Sequence, residues 1–205
     1  MRRYYPEYSE FEAASRDAEV LPVYRQLLGD RLTPVSAFQV LGSDDHAFLL
    51  ESVVGGERVA RYSFIATSPS TVYQVAGGNA SIWQQASGVT KEFKTTDPLA
   101  DLQRLLPQRR YLRHRNLPAF TGGLVGYAGY DTIRYYEAEK LPNPPTDDRH
   151  LPDLMFGLHG ELVIFDHVDK TIKIVANADL TASPSVEAAY RTACQRIDQI
   201  VQRLQ

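Results

Sequence analysis

The hydrophobic pattern of the chain is dominated by short apolar segments that end in turn residues. These segments are rich in β-branched and aromatic side chains, and Gly, Asn, Asp and Ser separate them. Such runs predict a meander of hairpins, and hence an antiparallel sheet. The segments are 34–41, 46–52, 61–66, 70–77, 79–86 and 88–93, followed by strands within 154–178. The clearest turns are Gly77-Gly78-Asn79 and Asp169-Lys170.

Other segments show the spacing of three and four residues that is typical of amphipathic helices. In 185–205, apolar residues recur at this spacing from Val186 to Leu204. Further helices are predicted at 20–30, 96–108 and 132–139, with a short one within 1–19. The pattern therefore predicts an α+β fold, a largely antiparallel sheet of roughly eight strands with helices on one face. We expect a single domain over 1–205.

Two predicted strands are apolar on both faces. Neither "AFLLES" (47–52) nor "ELVIFDHV" (161–168) alternates between apolar and polar residues. A sheet that is covered on one side only should show that alternation. We therefore expect the second sheet face to be buried as well, against something that this chain does not contain.

Composition narrows the class of protein. With 205 residues and a net charge of -3, the chain resembles an ordinary globular protein. The basic stretch 109–115 is short and is interpreted as a solvated surface, so no nucleic-acid partner is expected. The single cysteine, Cys194, is typical of a reducing compartment. No membrane-spanning or signal segment is apparent, and we expect a cytoplasmic protein.

The chain by itself carries no recognisable catalytic or metal site. Its five histidines are not paired at ligand spacing, so no metal is expected in this chain. There is no G-x-S-x-G motif, and "GGLVGYAG" (122–129) is not a phosphate-binding loop. We interpret these glycines as positions where the backbone passes close to a neighbouring element.

The stretch 47–70 is the most informative part of the sequence. Its first apolar run ends in Glu51 and Ser52, and Arg61 begins the second run after a glycine turn. One interpretation is a hairpin whose end is stabilised by a Glu51–Arg61 pair. The other is a site for a small zwitterion, in which the carboxylate and hydroxyl bind an ammonium group and a cation binds a carboxylate. An amino acid is the simplest such ligand.

Four blocks of sequence resemble anthranilate synthase component I, in the order found in that family. They are "PVYRQLLGDRLTPVSAFQVL", "FLLESVVGGERVARYSFIA", "GGLVGYAGYDTIRYYE" and "LPDLMFGLHGELVIFDHVDKTIKIVANA". The match extends over about 10–205 and indicates the N-terminal domain of this chorismate-utilising family. It distinguishes less well between the anthranilate branch and the aminodeoxychorismate branch of folate synthesis.

The resemblance implies an enzyme that converts chorismate and ammonia to anthranilate and pyruvate in tryptophan biosynthesis. A glutamine amidotransferase subunit would supply the ammonia. Catalysis and the Mg²⁺ site would lie in a C-terminal half that this chain lacks, so the chain alone should be inactive. Its exposed sheet face would pack on that half.

The resemblance also implies a regulatory site for L-tryptophan. The family's binding elements correspond to Glu51, Ser52 and Arg61, with Pro22 as a further match. Two alternatives remain open from the sequence: the homologous domain of aminodeoxychorismate synthase component I, and a free-standing amino-acid-binding module.

Overall fold

The chain folds into two compact units, and each unit is built from more than one segment of the sequence. The computed structural model describes residues 3–29, 32–42, 46–51, 61–106, 108–144 and 146–205. Unit 1 comprises Met1–Ser68, Gln108–Gly122 and Gly160–Gln205, and unit 2 comprises Pro69–Pro107 and Gly123–His159. The prediction of one domain over 1–205 stays a prediction, since this division does not say whether either unit folds alone.

Unit 1 is a five-stranded antiparallel sheet with helices. Its strands are β1 (Val20–Leu28), β2 (Phe48–Glu51), β3 (Tyr62–Ala66), β9 (Glu161–Asp166) and β10 (Thr171–Asp179). Its helices are α1 (Tyr8–Ala14), α2 (Pro34–Leu41) and α4 (Val186–Arg203). The strand order is β1-β10-β9-β3-β2, so β1 and β2 form the two edges.

Unit 2 is a second five-stranded antiparallel sheet. Its strands are β4 (Thr71–Ala76), β5 (Asn79–Gln84), β6 (Val89–Lys94), β7 (Gly123–Ala128) and β8 (Leu154–His159), in the order β6-β5-β4-β8-β7. It also contains helix α3 (Pro98–Leu105) and a 3₁₀ helix (Tyr130–Tyr135). The α+β class and the antiparallel pairing are confirmed, but the strands form two sheets of five instead of one sheet of roughly eight.

The prediction of a helix at 20–30 is wrong, because Val20–Leu28 form the edge strand β1; residue 30 lies outside the described residues. Leu21 and Val23 face the helices, whereas Tyr24 lies on the other sheet face. A strand buried on both faces reads as a continuous apolar run, which does not differ in pattern from a short helix. Pro22 is tolerated there because an edge strand can lack one N–H donor.

The prediction of a strand at 34–41 is also wrong, because this segment is helix α2. The Thr33 hydroxyl accepts a hydrogen bond from the Ser36 amide at 3.1 Å, and Pro34 occupies the first helical turn. An N-cap threonine followed by proline is a strong helix-start signal that outweighs the β-branched composition of the segment. The other predicted strands and the helices within 96–108 and 185–205 are present.

Both faces of the unit 1 sheet are apolar, as the sequence predicts. On one face, the helices cover a core that includes Leu21, Ile65, Ile174 and Ile197. The opposite face carries Tyr24, Leu162, Ile164 and Val175, which are packed against Leu117 and Phe120. Part of this second face is therefore covered by the chain itself, and its packing on a further domain stays a prediction.

Candidate functional site

The carboxylate of Glu51 lies at the end of β2, an edge strand of unit 1. In the antiparallel register, Glu51 is opposite Ser63 of β3. Leu49 and Ile65 pack in the core under the helices, so strand alternation places Glu51 and Ser63 on that same face. Glu51 is exposed and makes no hydrogen bond or ion pair to the part of the chain that the structure describes. Among the described residues, no cationic group occupies its carboxylate.

A buried serine and a histidine lie next to this carboxylate in the sheet. Ser63 is 1% exposed, and its hydroxyl is 2.8 Å from Nε2 of His167, which follows β9. The His167 amide donates a hydrogen bond to the Arg61 carbonyl at 2.9 Å. Residues from β2, β3 and the end of β9 thus form a polar row at one end of the sheet.

Arg61 does not pair with Glu51, and the hairpin interpretation of that pair is wrong. Its guanidinium binds Asp166 through two hydrogen bonds, Nε to Oδ1 at 3.0 Å and Nη2 to Oδ2 at 2.9 Å. Nη2 also contacts Asp169 at 3.1 Å. Because Asp166 follows Leu162 and Ile164 in alternation, it lies on the sheet face opposite Glu51. The Arg61 guanidinium is therefore directed away from Glu51, the carboxylate with which the hairpin interpretation paired it.

Asp166 is the centre of a charge network at the β9–β10 turn. It is 1% exposed and also accepts hydrogen bonds from the amides of Val168 and Asp169 and from Nζ of Lys173, at 3.2, 3.2 and 3.4 Å. Burial raises the pKa of Asp166, but the Arg61 and amide hydrogen bonds and the Lys173 charge outweigh it, and the pKa falls to about 2. The carboxylate stays ionised at neutral pH.

Arg61 nevertheless keeps a part of its guanidinium available. Its side chain is 37% exposed, and Nη1 makes no hydrogen bond to any described residue. The pKa of Arg61 is raised by its hydrogen bonds to Asp166. A guanidinium has five N–H donors, so it could bind a ligand carboxylate while it holds Asp166.

The remaining two predicted site residues are not brought to Glu51. Ser52 lies outside the described residues. Pro22 pairs with Asn177 in β1, at the opposite edge of the sheet from β2. Four strand spacings separate these edges, which corresponds to roughly 19 Å. Glu51 and Pro22 cannot contact one small ligand together.

The element that packs on β2 and β3 is helix α2. The sequence-based prediction misses this neighbour, because it assigns 34–41 to a strand and gives too little weight to the helix-start signal of Thr33 and Pro34. A small cavity between α2 and the sheet, lined by Leu41, Ile65 and Ala66, has a volume of only about 10 Å³. It is too small for an indole ring, so an aromatic ligand of Glu51 would have to lie outside this cavity.

Within the described ranges, no group of three or more His, Cys, Asp and Glu side chains is arranged to hold a metal ion. The expectation that Mg²⁺ binds outside this chain stays a prediction. In the same part of the chain, no helix has both the length and the apolar character needed to cross a membrane.

Comparison with known proteins identifies the relatives of this chain. No protein-family model matches it. It is 34% identical over 210 residues to "Anthranilate synthase alpha subunit 2, chloroplastic" of Arabidopsis thaliana, covering 97% of this chain and 34% of that protein. It is 36% identical over 197 residues to "Anthranilate synthase component 1" of Acetivibrio thermocellus, covering 96% of this chain and 39% of that protein.

A solved structure agrees with these sequence matches. The crystal structure of anthranilate synthase component I from Streptococcus pneumoniae superposes with a TM-score of 0.54 and 26% identity, over 87% of this chain and 36% of that one. The present chain is thus a homologue of one subunit of a multi-component enzyme. That subunit is anthranilate synthase component I, and the predicted resemblance is confirmed. Our chain spans between 34% and 39% of the length of these two curated relatives.

Proposed function

We propose that this chain is the N-terminal, regulatory and scaffolding part of anthranilate synthase component I. The complete enzyme would convert chorismate and ammonia to anthranilate and pyruvate, with ammonia supplied by a glutamine amidotransferase subunit. The observation that carries this proposal is similarity over 97% of this chain but only 34% of the relative. Catalysis and Mg²⁺ binding would belong to the remaining part of the polypeptide, and the 205-residue chain alone would be inactive.

We further propose that Glu51 and Ser52 bind the ammonium group of feedback L-tryptophan. The support is the exposed Glu51 carboxylate at the end of β2, which has no cationic partner among the described residues. Arg61 takes no part in this proposal, because its guanidinium binds Asp166 on the sheet face opposite Glu51 and one amino acid cannot contact both faces. Pro22 is left out of this proposal because it lies at the far edge of the sheet.

Feedback inhibition requires more than tryptophan binding. A ligand shifts a conformational equilibrium only by the difference between its affinities for the two states. Tryptophan would therefore have to contact Glu51 more favourably in an inactive arrangement of the whole enzyme than in an active one.

A location in the cytoplasm is part of the same proposal, supported by the single cysteine.

The test is the substitution Glu51→Ala in the full-length protein, assayed with ammonia and with increasing tryptophan. A hydrogen bond to a charged group contributes about 1.5–3 kcal/mol, so the inhibition constant should rise roughly tenfold to hundredfold while the rate without tryptophan is retained. Ser52→Ala should act in the same direction. Glu92→Ala is a matched control, because Glu92 is an exposed strand carboxylate in unit 2.

An unchanged inhibition constant in both variants would exclude Glu51 and Ser52 as the tryptophan site. The identity of the product tests the enzyme assignment separately. Formation of aminodeoxychorismate instead of anthranilate would assign the protein to the folate branch. Absence of any chorismate turnover would favour a free-standing amino-acid-binding module.

A further inference from the structure

The Ser63–His167 pair lies on the same sheet face as Glu51. In the antiparallel register Ser63 is the direct partner of Glu51, and Nε2 of His167 is 2.8 Å from the Ser63 hydroxyl. The imidazole therefore extends from the end of β9 over β3. The strand next to β3 is β2, roughly 4.8 Å away, so the imidazole is within reach of a small ligand that Glu51 holds.

One nitrogen of the imidazole is fixed and the other is available. Ser63 is 1% exposed and holds Nε2, whereas Nδ1 makes no hydrogen bond to any described residue. The His167 side chain is partly exposed. Pairing of β3 with β9 does not require this side chain, because the His167 amide already donates to the Arg61 carbonyl at 2.9 Å. A buried hydroxyl thus orients the imidazole, and the described part of the chain makes no use of its second nitrogen.

A serine hydroxyl suits an imidazole that changes its charge. Neutral imidazole can accept a hydrogen bond from Ser63 at Nε2, which places its own proton on Nδ1. Imidazolium donates from both nitrogens, and the serine oxygen then accepts from Nε2. Nδ1–H is a donor in both cases, but only imidazolium adds a positive charge. Charged N–H donors form the stronger hydrogen bonds to carboxylates.

His167 lies among charged groups that are mostly bound to one another. The ionisable groups near it, among the described residues of β2, β3, β10 and its own turn, are Glu51, Arg61, Tyr62, Asp166, Asp169, Lys170 and Lys173. Arg61, Lys173 and Asp169 are joined through Asp166 or Arg61, and Tyr62 packs on the opposite face. Helix α2 contains no Asp, Glu, His, Lys or Arg. Because Lys170 is exposed at the turn, His167 is the group that Ser63 fixes on the Glu51 face.

We propose that His167 binds the carboxylate of the amino-acid ligand whose ammonium group Glu51 binds, and that Ser63 orients the imidazole for this contact. The inference rests on the proposed function for the identity of the ligand. A zwitterion needs a cationic partner for its carboxylate, and the Arg61 guanidinium lies on the opposite face. Since imidazole loses its charge as the pH rises, the site should hold its ligand more tightly at slightly acidic pH.

The experiment measures tryptophan binding to the full-length protein by equilibrium dialysis at pH 6 and pH 8. Glutamine in His167→Gln keeps an amide that can bond the Ser63 hydroxyl, but it carries no charge. This variant should raise the dissociation constant at pH 6 about tenfold to hundredfold, the loss expected for a hydrogen bond to a charged group. In the wild type the constant should rise at least about fivefold from pH 6 to pH 8, and His167→Gln should abolish this rise. The matched control is His150→Gln, since His150 is an exposed histidine of unit 2.

Two analogues of tryptophan test each end of the ligand separately. Tryptamine lacks the carboxylate, so its binding should respond to Glu51→Ala and not to His167→Gln. Indole-3-propionate lacks the ammonium group, so it should respond in the opposite way. Ser63→Ala should weaken indole-3-propionate binding by a smaller factor than His167→Gln, because the imidazole is still present but is no longer oriented. The wild-type pH profile needs no substitution, so it tests the inference even where a variant is unstable.

The outcomes separate this inference from the proposed function. Tryptophan binding that depends on Glu51 but is unchanged in His167→Gln, or that is independent of pH in the wild type, would overturn the inference and leave the proposed function in place. Equal losses of tryptamine and indole-3-propionate binding in His167→Gln would also overturn the carboxylate contact, because the histidine would then act on the shape of the site. A wild-type protein that binds no tryptophan at either pH would overturn both.

Discussion

Asp166→Asn is expected to lower the free energy of unfolding by about 3–5 kcal/mol, because it leaves a buried lysine without its counter-charge. Lys173 is 5% exposed, and among the described residues its Nζ has Asp166 as its ion-pair partner, at 3.4 Å. The substitution also removes the two-point acceptor of Arg61. Urea unfolding at neutral pH, followed by circular dichroism, measures the loss.

Two variants separate the effect of charge burial from that of any change at this turn. Asp169→Asn removes a carboxylate that contacts the same guanidinium but is 54% exposed, so it should cost no more than about 1 kcal/mol. The double variant Asp166→Asn/Lys173→Met removes both buried charges and should be more stable than Asp166→Asn alone. A double variant as unstable as the sum of its single changes would show that the two charges are not coupled.

The same network predicts a pH dependence with a definite sign. The pKa of Asp166 is lowered from 3.8 to about 2 in the folded chain, so its folded form binds protons less readily than its unfolded form. A lowered pKa gives stability that is fully present above pH 4 and is lost as the pH falls towards 2. This contribution is on the order of 2–3 kcal/mol at neutral pH. The gap between wild type and Asp166→Asn should therefore narrow between pH 4 and pH 2, and a constant gap would contradict the assignment.

The hairpins could be predicted from sequence because their signals are local. The Gly77-Gly78 turn has φ angles of +53° and +76°, which glycine adopts without strain, and the strands on either side alternate as expected. The error at 20–30 arose because a strand that is buried on both faces shows no alternation of apolar and polar residues. The error at 34–41 arose because the helix-capping signal outweighs the β-branched composition of that segment. The split into two sheets depends on pairings between distant parts of the chain, such as β1 with β10, which no local pattern specifies.

The candidate site was predictable only in part for the same reason. Glu51 could be found because a carboxylate after an apolar run is conspicuous. The true partner of Arg61 is Asp166, which lies 105 positions along the chain, and the Ser63–His167 contact spans 104. The available signal was the sequence "DHVD" after an apolar strand, which predicts a turn but does not identify the residues that contact Asp166 or His167. The roles of Glu51, Ser52, Arg61 and Pro22 in tryptophan binding stay predictions.

The interpretation of "GGLVGYAG" as a close backbone passage leads to a second large effect. A Cβ atom built on Gly126 of β7 would lie 1.9 Å from the Met155 carbonyl oxygen and 2.6 Å from Cα of Phe156. Both are backbone atoms of the paired strand β8, so no flexible side chain can move aside. Overpacking in a core costs about 1–3 kcal/mol when side chains can adjust. Gly126→Ala should therefore lower the free energy of unfolding by about 3 kcal/mol or more.

Gly160→Ala is the matched control for this substitution. A Cβ atom at Gly160 meets no other atom within 4 Å, and its backbone is not in the left-handed region. Alanine there should change stability by no more than about 0.5–1 kcal/mol and can even stabilise, because it reduces the entropy of the unfolded chain. Both variants are compared with wild type by urea unfolding, with hydrogen exchange of the β7 and β8 amides as a local measure. Equal stability of the two variants would mean that β7 can separate from β8 at little cost, and that the glycine is not required by this close passage.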